Sequence, residues 1–146
     1  MAGFVGNIED LTRRNDSFRR VLFTGPHSQL VVMRLGPGEE IGLERHDTID
    51  QFFRIEHGRG TVVLDGTSSA ISDGDAVVVP AGTEHNVINR SPDGPLLLYT
   101  IYSPPAHRDL LVHRTKAEAD ADEADHGAAL PGPAGSNRGQ ALSAPR

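Results

Sequence analysis

Short apolar runs separated by glycine and proline turns cover most of the chain, and they constrain its fold more than any other feature. Strand-like runs with turn residues about every eight to twelve positions are typical of an all-β sandwich or barrel. The clearest runs are Arg19 to Thr24, Gln29 to Leu35, Thr61 to Leu64, Ala76 to Val79 and Leu96 to Tyr102. The sequence therefore predicts an all-β fold built from short strands.

The stretch from Gly42 to Asn89 carries two clusters of polar residues. In the first, Glu44 and His46 lie two positions apart in a strand predicted from Ile41 to His46. Side chains alternate between faces along a strand, so this carboxylate and this imidazole project to the same side. Gln51 follows at an odd spacing, and it joins that side if residues 47–50 form a turn or bulge that resets the alternation.

The second cluster combines turns with a strand. Gly74 predicts a turn, Ala76-Val77-Val78-Val79 a buried strand, and Pro80-Ala81-Gly82 a corner. In the strand that follows, His85 and Asn89 share one face.

This second cluster resembles the second motif of the cupin family at every position. The matching residues are Gly74, Pro80, Gly82, His85 and Asn89. The first cluster is similar to the first cupin motif in its His46 and Gly58, whereas Glu44 replaces a usual histidine and Gln51 replaces the usual glutamate. The resemblance covers residues 18 to 105.

The resemblance implies a single-domain, all-β, antiparallel cupin (jelly-roll) β-barrel with a divalent metal inside. We expect an N-terminal segment at 1–17, the barrel at 18–114 and a tail at 115–146. Asn7 is expected to cap a short helix in the N-terminal segment. Ser103-Pro104-Pro105 is expected to end the barrel, since proline cannot continue a ladder. The acidic tail, rich in Ala, Gly and Pro, is expected to be disordered, with room for a short frayed helix at its start.

Four side chains are the expected metal ligands: Glu44, His46, Gln51 and His85. Two imidazoles, a carboxylate and an amide oxygen suit one divalent transition metal (Mn, Fe, Ni, Co or Zn). The alternative is a barrel that has lost its metal. An inward carboxylate without a cation is costly, which favours metal binding.

Three functions are compatible with this site. The first is an enzyme that uses the metal as a Lewis acid on a small oxygen-rich substrate, as the resemblance to small sugar-processing cupins suggests. An isomerase, epimerase or ring-opening enzyme of this kind needs a proton shuttle, for which Tyr99, Tyr102 and His107 are candidates. Strand alternation does not decide which tyrosine faces the cavity. The alternatives are an Fe- or Cu-dependent dioxygenase and a non-catalytic small-ligand-binding module.

Composition excludes other classes. The chain has no cysteine, which excludes disulfides and thiolate metal sites. Its formal charge of −6 disfavours nucleic-acid and membrane partners, and no apolar run is long enough to span a bilayer. We therefore expect a cytoplasmic protein whose partner is a small-molecule substrate. Phe52 is expected to point outward from its strand, where the N-terminal segment or a second subunit of a homodimer would cover it.

Overall fold

The computed structural model describes residues 2–122, and within them the chain forms two short helices and nine strands. In chain order these are α1 (Ile8–Arg13), β1 (Arg19–Thr24), β2 (Gln29–Leu35), β3 (Asp50–His57), β4 (Arg59–Leu64), β5 (Thr67–Ser72), β6 (Ala76–Val79), β7 (His85–Ile88), β8 (Leu96–Ser103), β9 (Val112–His113) and α2 (Lys116–Ala121). The predicted strands Arg19–Thr24, Gln29–Leu35 and Ala76–Val79 are confirmed with the same bounds.

Two antiparallel sheets enclose the core, as the fold prediction required. Among the described residues one sheet has the strand order β6-β3-β8-β2-β1-β9 and the other the order β5-β4-β7. The β4–β5 hairpin turns at Asp65 and Gly66, which have φ values of 47° and 83°. Positive φ at both central residues is typical of the tight turn that matches the twist of paired strands.

Alternation along β3 and β8 separates the interior from the outer surface. In β3, Gln51, Phe53 and Ile55 are at most 3% exposed, whereas Phe52 and Arg54 are half-buried. In β8, Leu98, Thr100 and Tyr102 are at most 1% exposed. These faces meet in register, since Gln51 pairs with Tyr102 and Phe53 with Thr100. The inner face therefore changes from apolar to polar towards the start of β3 and the end of β8.

The prediction of a strand from Ile41 to His46 is wrong, because this segment does not form a regular strand. Only isolated bridges tie this segment to β7, one joining Glu40 with Ile88 and one joining Glu44 with His85. Gly42 interrupts the ladder because its φ of 111° is not an extended conformation, and its amide instead donates to the side-chain oxygen Oδ1 of Asn86 at 2.9 Å.

The N-terminal helix is confirmed. The Asn7 side chain accepts a hydrogen bond from the Asp10 amide at 2.9 Å, as an N-cap does, and α1 packs against β2, β3 and β8. This satisfies an amide that a helix start otherwise leaves unpaired.

The C-terminal part of the described chain contains two further elements. Ser103-Pro104-Pro105 ends β8, and β9 follows within the predicted barrel, 18–114, and pairs with β1. The short helix expected at the start of the tail is α2, which Thr115 caps. It buries Ala119 at 3% exposure, and a single small side chain on an otherwise polar helix was too weak a signal to predict this packing. The remainder of the predicted tail, 123–146, lies outside the described residues.

Within residues 2–122 no helix is long and apolar enough to cross a membrane.

Candidate metal centre

Backbone hydrogen bonds bring the two polar clusters together. Glu44 and His85 exchange both bonds of a bridge, with N–O distances of 2.9 and 2.8 Å. At the Pro80–Gly82 corner, the Gly82 amide donates to the carbonyl of His46 at 2.8 Å. A left-handed φ of 86° at Gly82 turns the chain at this point. The turn and the bridge together place His46 and His85 beside each other.

Three of the predicted ligands converge. The candidate ligand atoms of Glu44, His46 and His85 all lie within 4.8 Å of one another. Nε2 of His46 is 3.5 Å from Oε1 of Glu44, and Nε2 of His85 is 4.0 Å from the same oxygen. Both imidazoles are buried, and the Glu44 side chain is only 21% exposed. The carboxylate therefore points at the two histidines, as the predicted alternation required.

The hydrogen bond between His85 and Thr83 fixes the tautomer of the His85 ring, and so decides which ring nitrogen has a free lone pair. Nδ1 lies 2.9 Å from the carbonyl oxygen of Thr83, so it carries the proton and donates it there. Nε2 then presents a lone pair towards Glu44, and it has no hydrogen-bond partner in the described part of the chain. Two acceptors facing each other across 4.0 Å leave a position that a cation can occupy.

Gln51 contributes a fourth oriented donor atom. The turn at Asp47 and Thr48 shifts the alternation, so Gln51 lies on the inner face next to Tyr102, whose ring contacts the His46 ring edge-on. The Gln51 amide group donates from Nε2 to Oγ1 of Thr100 at 3.0 Å. Its oxygen Oε1 is buried and has no hydrogen-bond partner among residues 2–122. Thr100 thus fixes the amide with its oxygen available as a ligand.

Electrostatics favour a deprotonated Glu44 and a neutral His85. Burial alone would raise the pKa of Glu44, but the nearby imidazoles of His46 and His85 and the guanidinium of Arg19 hold it well below its usual range. Burial lowers the pKa of His85, although the Glu44 carboxylate opposes this shift. A deprotonated carboxylate and a neutral imidazole are the forms that coordinate metal ions.

These residues fit a divalent transition metal. Buried polar atoms are almost always hydrogen-bonded, and leaving one unpaired costs about 1–3 kcal/mol. Here Oε1 of Gln51, Nε2 of His85 and both ring nitrogens of His46 are buried without a partner in the described chain. Imidazole nitrogens with carboxylate and amide oxygens match Mn, Fe, Co, Ni or Zn better than calcium. One ion would satisfy several of these atoms at once.

The three candidates for proton transfer separate into two groups. Tyr102 is 1% exposed and contacts His46, with ring centroids 6.1 Å apart. Nε2 of His107 lies 3.1 Å from the Tyr102 hydroxyl, so this histidine folds over the end of the barrel. Tyr99 instead lies on the outer face, 6.2 Å from the Phe52 ring. Tyr102 therefore lies beside the candidate centre and His107 lies next to Tyr102, whereas Tyr99 lies on the outer face.

Sequence reasoning missed two polar residues that support this arrangement. Thr100 orients Gln51, and Gln29 holds the loop that carries His107. The Gln29 amide donates to the His107 carbonyl at 2.8 Å, and its oxygen accepts from the amides of Ala106 and His107. Both lie at inward positions of otherwise apolar strands, which was the available signal.

Two antiparallel sheets around an interior that holds a carboxylate–imidazole cluster are typical of one class of β-barrel proteins. The chain belongs to the cupin family, since the family model for the Cupin domain matches residues 31–102. The curated protein YrkC of Bacillus subtilis, described as uncharacterized, is 50% identical over 126 residues, which cover 82% of this chain and 67% of that one.

Two solved structures are similar to this chain in both sequence and fold. The crystal structure of BH2720 from Bacillus halodurans is 48% identical, covers 82% of this chain and 95% of its own, and superposes with a TM-score of 0.80. The structure of KdgF from Halomonas sp. is 28% identical, with 62% and 79% covered and a TM-score of 0.56.

Proposed function

We propose that the chain is a metal-dependent enzyme that acts on a small oxygen-rich substrate, a sugar or a hydroxy or keto acid, by isomerase, epimerase or ring-opening chemistry. Glu44, His46, Gln51 and His85 would hold one divalent transition metal. The observation that carries this proposal is the group of buried donor atoms that have no partner within the described chain. Burial of so many unpaired atoms has no structural benefit, whereas a metal centre requires them.

The protein's own residues would supply binding, orientation and proton transfer. A bound divalent metal polarises carbonyl or vicinal oxygens and so acidifies a neighbouring C–H or O–H group. Thr100 keeps the Gln51 oxygen aimed inward, and Thr83 keeps the His85 ring in its Nδ1-protonated form. The Tyr102 hydroxyl, hydrogen-bonded to His107, is the group we assign to proton transfer.

An Fe- or Cu-dependent dioxygenase is the second candidate. Two histidines and one carboxylate form the ligand set that oxygen-activating iron enzymes use, and these three residues alone cluster in this way among the described residues. Gln51 favours the first proposal, since a fourth protein ligand leaves fewer positions for both oxygen and substrate.

One experiment separates these functions. Protein loaded separately with Mn, Fe, Co, Ni, Cu and Zn is incubated in D₂O with sugars, sugar acids and hydroxy and keto acids. Proton transfer at carbon incorporates deuterium, seen by NMR, without oxygen uptake. Oxygen consumption by the Fe or Cu form supports the dioxygenase instead. A compound that binds tightly to every metal form and is recovered unlabelled and unchanged supports a non-catalytic binding module.

Tyr102→Phe is expected to lower the turnover of this reaction about 100-fold, the lower end of the usual contribution of general acid–base catalysis. Metal content should not change, since the lost hydroxyl is not a proposed ligand. Tyr99→Phe is the matched control, because it removes the same group from the outer face of the same strand. Equal turnover in the two variants contradicts the assignment of Tyr102.

We also propose that the protein is a homodimer, formed through the outer face of β3 and β6. Phe52 is half-buried there, opposite Val78, whose exposure is 64%. Light scattering at micromolar concentration should give twice the chain mass of 15.7 kDa for the wild type. Val78→Asp should give the monomer mass, because a charge at an apolar interface is costly, whereas the equally drastic Val5→Asp should not. A monomeric wild type removes the proposal.

A further inference from the structure

The loop at 104–111 connects β8 with β9 and carries His107. From inside the barrel, the Gln29 side chain bonds the amides of Ala106 and His107 and the carbonyl of His107. These bonds act at His107 itself, whereas the three residues that follow it are exposed. Among them Leu110 has a φ of 60°, a left-handed conformation that is uncommon for leucine. Such a conformation persists only where the surrounding structure holds it, so the second half of the loop needs an attachment of its own.

Asp122 provides that attachment through the side chain of Arg108. The guanidinium donates to both oxygens of the carboxylate, with an Nη2–Oδ2 distance of 2.7 Å and an Nη1–Oδ1 distance of 3.2 Å. Two parallel bonds between a guanidinium and a carboxylate fix their orientation as well as their separation. Arg108 directly follows His107, so this pair restrains the loop on the side of His107 that the Gln29 bonds do not reach.

Asp122 is itself anchored to the sheet. Arg19 donates from Nη1 to Nδ1 of His113 at 3.2 Å, because a guanidinium has no acceptor and the imidazole nitrogen must accept. The other ring nitrogen, Nε2, therefore carries the proton and donates to Oδ2 of Asp122 at 2.9 Å. Arg19 and His113 are 5% and 3% exposed, and they pair in register across β1 and β9. The Asp122 carboxylate thus connects the exposed part of the loop to two buried residues.

We propose that Asp122, acting through Arg108, is a positioning residue that holds His107 against the Tyr102 hydroxyl. This inference rests on the proposed function, in which Tyr102 transfers the proton. In the contact that is held, Nε2 of His107 lies 3.1 Å from the hydroxyl, and the two rings meet edge-on with centroids 5.0 Å apart. Asp122 directly follows α2, so a residue beyond the predicted barrel sets the geometry of the proton-transfer pair.

Asp122→Asn tests this assignment, because the amide oxygen can still accept from His113 while the charge and the second acceptor for Arg108 are lost. Hydrogen exchange of the His107 amide, followed by NMR in the metal-free full chain, should become about 2- to 5-fold faster. That factor is the usual effect of a partly exposed ion pair, and the Arg108 and Asp122 side chains are 44% and 19% exposed. The His107 ring signals should also shift, since the Tyr102 ring lies against them.

Turnover of the metal-loaded enzyme should fall by a similar factor in kcat, with KM and metal content unchanged, because the proposed ligands are intact. Arg108→Gln should have the same effects, and the double variant should be no worse than either single variant, since the two residues act as one pair. Asp120→Asn is the matched control. It is the same substitution in α2, where Asp120 pairs with Lys116, and it should leave amide exchange, ring signals and kcat unchanged.

Three results would overturn the inference. The His107 amide and ring signals of Asp122→Asn match those of the wild type, or the effects of Asp122→Asn and Arg108→Gln add in the double variant, or an active wild type loses no kcat in Asp122→Asn. Failure of the proposed function gives a different pattern, in which the amide and ring signals respond but no metal form of the wild type incorporates deuterium. That pattern supports the role of Asp122 in holding His107 and refutes only the reaction.

Discussion

His85→Ala is expected to abolish metal retention. Structural zinc sites with four protein ligands have apparent binding free energies of about 10–16 kcal/mol, and on that scale one ligand accounts for about 3 kcal/mol, or more than about 100-fold in affinity. The side chain lost here contributes an oriented nitrogen that is 4.0 Å from Glu44. Elemental analysis after gel filtration should show occupancy falling from near one ion per chain to near zero.

Two further variants calibrate this result. Gln51→Ala should weaken retention without abolishing it, because a neutral amide oxygen is a weaker ligand than imidazole. His27→Ala removes an exposed turn histidine and should retain full occupancy. The unfolding free energy of metal-free His85→Ala should fall, since the buried ring and its hydrogen bond to Thr83 are lost, so circular dichroism checks that the variant is folded. Full metal content in His85→Ala would contradict the proposed ligand set.

Gly58→Ala is expected to destabilise the fold by about 2–5 kcal/mol. Gly58 has a φ of 95°, a left-handed conformation that glycine adopts freely. An alanine in a left-handed conformation is destabilised by about 1–2 kcal/mol. A Cβ there would also lie 2.5 Å from the carbonyl oxygen of Pro95, which is backbone and cannot rotate away. Forcing the chains apart adds about 1–3 kcal/mol.

Gly66→Ala separates these two causes. Gly66 has a φ of 83° but nothing within 4 Å of its added Cβ, so it should lose only the conformational part, about 1–2 kcal/mol. Urea unfolding followed by circular dichroism measures both variants, with equal slopes expected if the denatured states are alike. Equal losses of unfolding free energy in the two variants would show that the Pro95 carbonyl can move aside, and would contradict a tight contact between Gly58 and this loop.

The sequence predicted the parts of the fold that depend on local alternation and turns. The strands Arg19–Thr24, Gln29–Leu35 and Ala76–Val79 followed from residue types and spacing, and the inward orientation of Gln51 followed from the turn at residues 47 and 48 on which that prediction was conditional. The segment from Ile41 to His46 was misjudged because its regularity depends on Gly42, whose amide bonds to Asn86, forty-four residues away. No local pattern contains that interaction.

The same limit applies to the candidate site. Glu44, His46 and His85 were chosen because they stand in motifs that resemble those of cupins, whereas Thr100, which orients Gln51, stands in no motif. Its contact with Gln51 depends on how β8 pairs with β3. Similarly, the choice between Tyr99 and Tyr102 needed the register of β8 against β3.

The attachment of Glu44 to its neighbouring strand bears on which ions the proposed centre would accept. An isolated bridge, with no continuous ladder on either side, holds this residue opposite His85, so the carboxylate can shift by a fraction of an ångström without disturbing a strand. A compliant coordination shell adapts to cations of different radius and discriminates poorly between them. The ion recovered from cells should accordingly follow the transition-metal content of the growth medium.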